Sequence, residues 1–326
     1  MKNTKIQILI TGGFGYVGSK LCNFLSQRNY EISIIDNLLH KNYNKKIINK
    51  NVKFYNIDIN NHNKLIDHFK KNQYEVVIHL AAIVGDPASK KFPKLTNITN
   101  LVSSKKLFNL CVRDKIKKFV FFSTCSNYGL STSKNLLTEN SQLKPLSIYA
   151  KTKVKFEKYL LKNKNKISKI ILRISTLYGV SPRMRYDLTI NEFTKFLFLK
   201  KKLTVFDKKT WRPYIHLEDL SYIVNFFIKK KLKLKPYVFN TGINGANYTK
   251  EDICNEILKQ LPSRSKFISY IEKSSFDKRN YKVDFSKISK FKIKKNYNLK
   301  IGINEIINDL RRNKLNQKFK KIFSNT

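Results

Sequence analysis

Ile6-Gln7-Ile8-Leu9-Ile10-Thr11-Gly12-Gly13-Phe14-Gly15-Tyr16-Val17-Gly18 is the stretch on which the fold turns. A short apolar run meets a TGxxGxxG turn, and an amphipathic segment follows at once. A strand, a glycine turn and a helix in that order form a phosphate cradle. Gly12 permits the tight turn, Gly15 lets the backbone approach a pyrophosphate, and Gly18 lets helix and strand pack closely. The positive end of the helix then faces the phosphates. Phe14, Tyr16 and Val17 belong to the same turn and are expected to line it.

Working outward, short apolar runs at 6–11, 31–36, 52–56, 76–80, 118–123 and 167–174 read as strands, and the segments between them as helices, most clearly 16–27, 94–113 and 148–163. Leu95, Ile98, Val102, Leu107 and Leu110 follow a helical spacing in the second of these. The alternation predicts an α/β chain with a Rossmann-type, doubly wound parallel sheet. From Ser175 onward it blurs. The expectation is a cofactor-binding domain over 1–174 with returning segments near 213–242, and a smaller, partly discontinuous α/β substrate lobe from 175–212 and 243–326.

The second strand ends in Asp36, where a carboxylate accepts hydrogen bonds from an adenosine ribose diol and repels a 2′-phosphate. NAD is therefore expected rather than NADP. Asn37, Asp58, Ile59, Leu80, Ala81 and Ala82 fall at the same carboxyl edge. The fifth strand ends in Ser123-Thr124, and Tyr149 and Lys153 share one helical face. An ammonium beside a phenol favours the phenolate, so Tyr149, Lys153 and Thr124 form a candidate proton relay to a substrate alcohol.

Composition narrows the alternatives. The chain has 326 residues, 41% hydrophobic and 13% aromatic, enough for a large core. The formal charge of +44 is spread along the whole length rather than gathered into a footprint, so neither nucleic acid nor membrane is expected as a partner. Cys22, Cys111, Cys125 and Cys254 lack disulfide or zinc spacing, and no metal site is expected. No apolar run approaches the roughly 20 residues that span a bilayer. The expected location is cytoplasmic.

With these residues in place the chain resembles the NAD-dependent epimerase/dehydratase family of extended short-chain dehydrogenase/reductases along nearly its whole length. Asn100, Arg173 and Tyr178-Gly179 also stand where that family's pattern expects them. The resemblance implies a nucleotide-sugar enzyme with Thr124 as catalytic hydroxyl, Tyr149 as base and acid, and Lys153 as its partner. Asn100 and Ser123 are implied at the cofactor. Arg212 in Trp211-Arg212-Pro213-Tyr214, and Arg279, resemble arginines that hold the substrate diphosphate. Thr176 stands where many 4-epimerases carry Asn. The segment from Ser181 to Leu188, with Arg183 and the following Asn191, resembles a subgroup tied to surface-polysaccharide sugars and is expected to recognise substrate.

The family's 4,6-dehydratases carry an Asp-Glu pair after the catalytic Thr, and here those positions are Cys125 and Ser126. The implied reaction is 4-epimerisation through a 4-keto sugar, with net C4 oxidation or reduction as the alternative and a non-catalytic scaffold binding RNA or membrane as the contrasting class. The resemblance further implies a homodimer through helices 94–113 and 148–163.

Overall fold

The computed structural model describes residues 5–39, 49–130, 135–272 and 279–315. Its strands are β1 (Ile6–Thr11), β2 (Tyr30–Asp36), β3 (Lys53–Asn56), β4 (Val76–His79), β5 (Lys118–Thr124), β6 (Ser168–Ile174), β7 (Thr176–Tyr178), β8 (Leu203–Phe206), β9 (Trp211–His216), β10 (Pro236–Thr241), β11 (Asn247–Thr249) and β12 (Ile268–Ile271). Seven of them form one sheet in the order β10-β6-β5-β4-β1-β2-β3, and every neighbouring pair is parallel. The chain leaves β1 toward β2 and β3, then crosses back to β4. The strand order therefore reverses between β1 and β4, which opens the crevice where such sheets bind ligands.

Both faces of the sheet are buried, so its strands read as apolar runs rather than alternating ones. Along β1, Ile8 and Ile10 join one core and Leu9 the other. Helix Tyr16–Ser26 packs on the first face and helix Ile148–Lys162 on the second, where Phe156 and Leu160 are fully enclosed. A third core lies beyond the carboxyl edge, among β8, β9 and helices Thr189–Phe198, Lys250–Gln260 and Leu299–Leu315. There a small sheet has the order β11-β9-β7, and β12 pairs with β8.

Two readings from sequence need correction. The first concerns the helix expected over 94–113. The chain runs through a helix at Pro93–Asn97, a π-helical segment at Ile98–Ser103 and a helix at Ser104–Arg113. The wider π turn rotates the face, so Leu107 and Leu110 enter the core while Ile98 and Val102 stay 44% and 40% exposed. The one apolar stripe becomes two. The second is small: β5 carries one residue more than expected, so Thr124 is the last residue of the strand and not the first of the loop.

Candidate active site

A cavity of about 680 Å³ follows the carboxyl edge of the sheet from β3 to β6 and is lined on the far side by Arg183, Arg185, Glu192, Arg279 and Tyr281. At one end lie the Gly12–Gly18 turn, Asp36, Asn37, Asp58 and Ile59, with Leu80, Ala81 and Ala82 beside them. At the other end lie Ser123, Thr124, Tyr149, Lys153, Thr176 and Arg279.

The turn is built for backbone contact. Gly12 has φ +75° and a side chain there would meet the Ala81 nitrogen at 2.7 Å, so the turn closes directly against the segment after β4. A Cβ at Gly18 would reach the Gly12 oxygen at 2.3 Å, which locks helix to turn. A Cβ at Gly15 would meet only the Gly12 oxygen, at 3.2 Å, and otherwise open cavity. The helix that follows has no acidic residue in its first turn and no side-chain cap at its start, leaving its amide dipoles aimed at the space where an anion fits.

Asp36 closes this end: its carboxylate accepts from the Phe14 amide at 2.9 Å and from the Leu38 amide at 2.8 Å. Desolvation raises its pKa, and the two amides and the nearby Arg183 guanidinium oppose that rise. Asn37 donates to Asp58 at 3.0 Å, tying β2 to β3. Behind the turn, buried His79 lies 2.8 Å from the Thr11 hydroxyl and 2.8 Å from that of Ser104. Burial holds His79 down at about 3, so it is a neutral strut. This donor set and shape fit a dinucleotide.

At the reacting end Thr124 is 8% exposed, and its hydroxyl accepts from the Ser126 amide at 3.1 Å. The Lys153 Nζ lies 5.8 Å from the Tyr149 ring centre and 4.9 Å from that of Phe121. The Tyr149 ring keeps some exposure to the cavity but is withdrawn from bulk water, and this desolvation pushes its phenol up to about 12. Arg185 opposes the rise, Asp86 adds to it, and Thr124 and Arg279 oppose it. Burial pulls Lys153 down to about 7. The cations that favour the phenolate here are Arg185 and Arg279.

One helical turn beyond Lys153, buried Glu157 forms an ion pair with Arg173 of β6 and accepts from the Ser123 hydroxyl at 2.9 Å. Asn127 donates to Ser123 at 3.0 Å, and Arg173 donates to the Tyr128 hydroxyl at 3.0 Å. The network clamps the end of β5 on both sides of Thr124.

Three residues expected at the ligands do not line the cavity. Asn100, on the π turn, accepts from the Ile83 amide at 2.8 Å and donates to the Ile83 carbonyl at 2.9 Å, so it holds the cavity wall from behind. Asn191 accepts from Gly179 and donates to the Tyr16 hydroxyl and the Arg185 carbonyl. Arg212 stacks on Tyr281, 5.3 Å from its ring centre, and it is Tyr281 that faces the cavity. Arg183 lines the cavity, but at the glycine turn. Arg279 reaches across to Asp86 at 3.1 Å and to the Ser126 hydroxyl at 3.3 Å, over the reacting end.

Sequence reasoning passed over Glu157 and Asp86 as site residues, and held Arg185 only as part of the segment from Ser181 to Leu188. Glu157 had a signal, since it continues the Tyr149/Lys153 face by one turn. Asp86 had none, because only folding brings it to Arg279.

The profile described as the NAD dependent epimerase/dehydratase family matches residues 8–242. The chain belongs to that family. It is an enzyme of the nucleotide-sugar epimerase/dehydratase kind, and its cofactor is NAD. A UDP-glucuronate 4-epimerase from Thermodesulfobacterium geofontis is 29% identical over 91% of this chain and 92% of its own. A dTDP-D-glucose 4,6-dehydratase from Dictyostelium discoideum is 26% identical over 91% and 80%. Among solved structures, the Bacillus cereus UDP-glucuronic acid 4-epimerase in complex with UDP-glucuronic acid and NAD superposes with a TM-score of 0.82, 25% identity, and coverage of 94% of this chain and 99% of the other. The family's sheet and cofactor turn are those described above. Among the described residues no helix is long and apolar enough to cross a membrane, and no cluster of three or more His, Cys, Asp or Glu could hold a metal.

Proposed function

We propose that the enzyme interconverts the C4 epimers of a nucleotide-sugar. The observation that carries this reading is the convergence of Thr124, Tyr149 and Lys153 on one cavity that also contains the dinucleotide turn. Gly12, Phe14, Gly15, Tyr16, Val17 and Gly18 would cradle the NAD pyrophosphate, Asp36 and Asn37 the adenosine ribose, and Asp58, Ile59 and Leu80 to Ala82 the flanking walls. Bound NAD supplies the two-electron acceptor and donor for the sugar carbon. Tyr149 takes the proton of the sugar hydroxyl and returns it after the keto group has turned. Thr124 aligns both hydroxyls, and Lys153 holds the nicotinamide ribose and favours the phenolate.

The positions directly after Thr124, where the family's dehydratases carry an acid and a base, hold Cys125 and Ser126, which disfavours dehydration. The Cys125 thiol donates to the Arg173 carbonyl at 3.2 Å and burial pushes it up to about 12. Ser126 accepts from Arg279. For the substrate, Arg279 and Thr176 face the cavity directly, while Arg212 and Asn191 support it through Tyr281 and the Gly179 loop. The loop from Ser181 to Leu188 supports assignment to surface-polysaccharide sugars. Exposed Ile98, Val102 and Leu161, on the helices expected to pair, support a homodimer. Four free, buried thiols suit a reducing, cytoplasmic setting.

Incubation with NAD and a panel of UDP-, GDP- and dTDP-sugars, followed by chromatography and NMR, tests the reading. It expects a product of unchanged mass with inverted C4. A product lighter by one water would overturn it, and accumulating NADH would favour the net C4 oxidoreductase. No product from any sugar, with RNA binding that weakens steeply with salt, would favour the scaffold reading.

A further inference from the structure

We propose that the amino edge of the sheet carries a docking surface for an anionic membrane, at the opposite end from the cavity and independent of its chemistry. Between Asp219 and Glu251 the chain has no acidic residue, and between Asp284 and Glu305 it again has none. The first span contains Lys229, Lys230, Lys231, Lys233 and Lys235, all exposed. The second contains Lys287, Lys290, Lys292, Lys294 and Lys295, exposed as well. The two tracts lie apart in the chain and merge into its general lysine content, which is why composition alone points to no membrane. Folding joins them. The Phe226 ring of helix Leu217–Lys229 packs 5.1 Å from that of Phe291, and the Lys230 Nζ lies 5.8 Å from the first ring centre and 6.0 Å from the second. Lys287 donates to the Val238 carbonyl at 2.7 Å, which brings the second tract alongside β10.

Lys229, Lys230 and Lys231 line one groove of about 550 Å³ with Lys292 and Lys294, and no acidic side chain lines it. Other exposed lysines meet carboxylates, as Lys53 does Glu31, Lys117 Glu75 and Lys209 Glu251. No lysine of the two tracts does so among the described residues. The Ser168 hydroxyl, on the first residue of β6, donates to the Lys233 carbonyl at 3.0 Å, and Lys118, the first residue of β5, donates to the Phe227 carbonyl at 3.2 Å. The surface thus sits at the amino ends of the strands, whereas the cavity follows their carboxyl ends, and a bilayer docked there leaves the cavity uncovered. Charge alone suits nucleic acid equally. Leu234 decides for a bilayer: it is 54% exposed between Lys233 and Lys235, and an apolar tip in a basic face enters the headgroup region while the lysines meet lipid phosphates. Phe226 and Phe291, the rings that base stacking would need, are packed against each other and under Lys230.

Co-sedimentation of the full-length protein with vesicles tests this, comparing phosphatidylcholine alone with phosphatidylcholine containing about one-third phosphatidylglycerol. Binding should be confined to the anionic vesicles and weaken as salt rises. A lysine near such a surface contributes about fivefold, so the combined Lys230→Gln, Lys231→Gln and Lys294→Gln variant should bind about 100-fold more weakly. Leu234→Gln should weaken binding about tenfold. Replacing Lys200, Lys201 and Lys202 by Gln, an exposed run in the second lobe, should change it by less than about threefold. Surface replacements of this kind leave the fold intact. Wild-type protein that ignored the anionic vesicles, or bound both kinds equally, would overturn the proposal. An equal loss from the Lys200 to Lys202 variant would overturn it too, by making net charge the whole attraction. Tighter binding to single-stranded RNA than to the anionic vesicles at equal phosphate would overturn it in favour of nucleic acid.

Discussion

Lys153 should make the NAD-free protein less stable, and the cost should depend on pH in a defined way. The residue is 3% exposed, and burial lowers its pKa from 10.5 to about 7. Between pH 7 and 10.5 the unfolded lysine holds a proton that the folded one has released, so the unfolded state binds more protons and stability rises with pH across that window. Below pH 7 both states are charged and the folded state bears the whole penalty, on the order of 5 kcal/mol from a fall of this size. At pH 9 it is on the order of 2 kcal/mol. Lys153→Met removes the charge and keeps most of the volume. Urea unfolding of both proteins without NAD should show the variant more stable at pH 6, with its advantage shrinking by about 3 kcal/mol at pH 9. A difference that did not change with pH, or a wild type more stable at pH 6, would refute the argument.

Glu157→Ala should cost about 3–5 kcal/mol in the same assay, because it strands the Arg173 guanidinium in the core; a loss under about 1 kcal/mol would show that water reaches the pair. Asp36→Ala should narrow a preference for NAD over NADP by about tenfold or more, since it removes an acceptor for the ribose diol. Wild-type protein that bound NADP as tightly as NAD would remove the basis for that expectation. Val102→Lys should convert a dimer to a monomer in light scattering at micromolar concentration, and a wild type that is monomeric there would contradict the proposed pairing.

How much of this was legible in the sequence depends on whether a residue acts through its neighbours in the chain or across the fold. The turn from Thr11 to Gly18, Asp36 at a strand end and the Tyr149/Lys153 pair are local patterns, and they converge in the cavity as their spacing predicts. The π turn at Ile98–Ser103 was hidden because its apolar residues keep a helical spacing on paper. Asn100 sits on that turn and bonds both backbone groups of Ile83, and no composition cue announces it. Arg183 and Arg185 share a loop, but only the bonds from Ser181 and Ser19 decide which end of the cavity each one faces. The Asp86–Arg279 pair joins positions far apart in the chain, so it exists only in the folded molecule. The ionisation of the relay was also incompletely legible. The Lys153 charge was readable, but the Arg185 and Asp86 charges beside Tyr149 and the desolvation that outweighs them were not.

The central claim is that Tyr149 moves the proton of a sugar hydroxyl. Its most direct test compares wild type and Tyr149→Phe on whichever nucleotide-sugar the wild type epimerises, following the 4-epimer by NMR at saturating NAD. Removing a positioned base should lower turnover by about 10²–10⁴-fold, with the NAD Kd within about twofold because the phenol contributes little to cofactor binding. A Phe variant that epimerised the sugar at the wild-type rate would contradict the account.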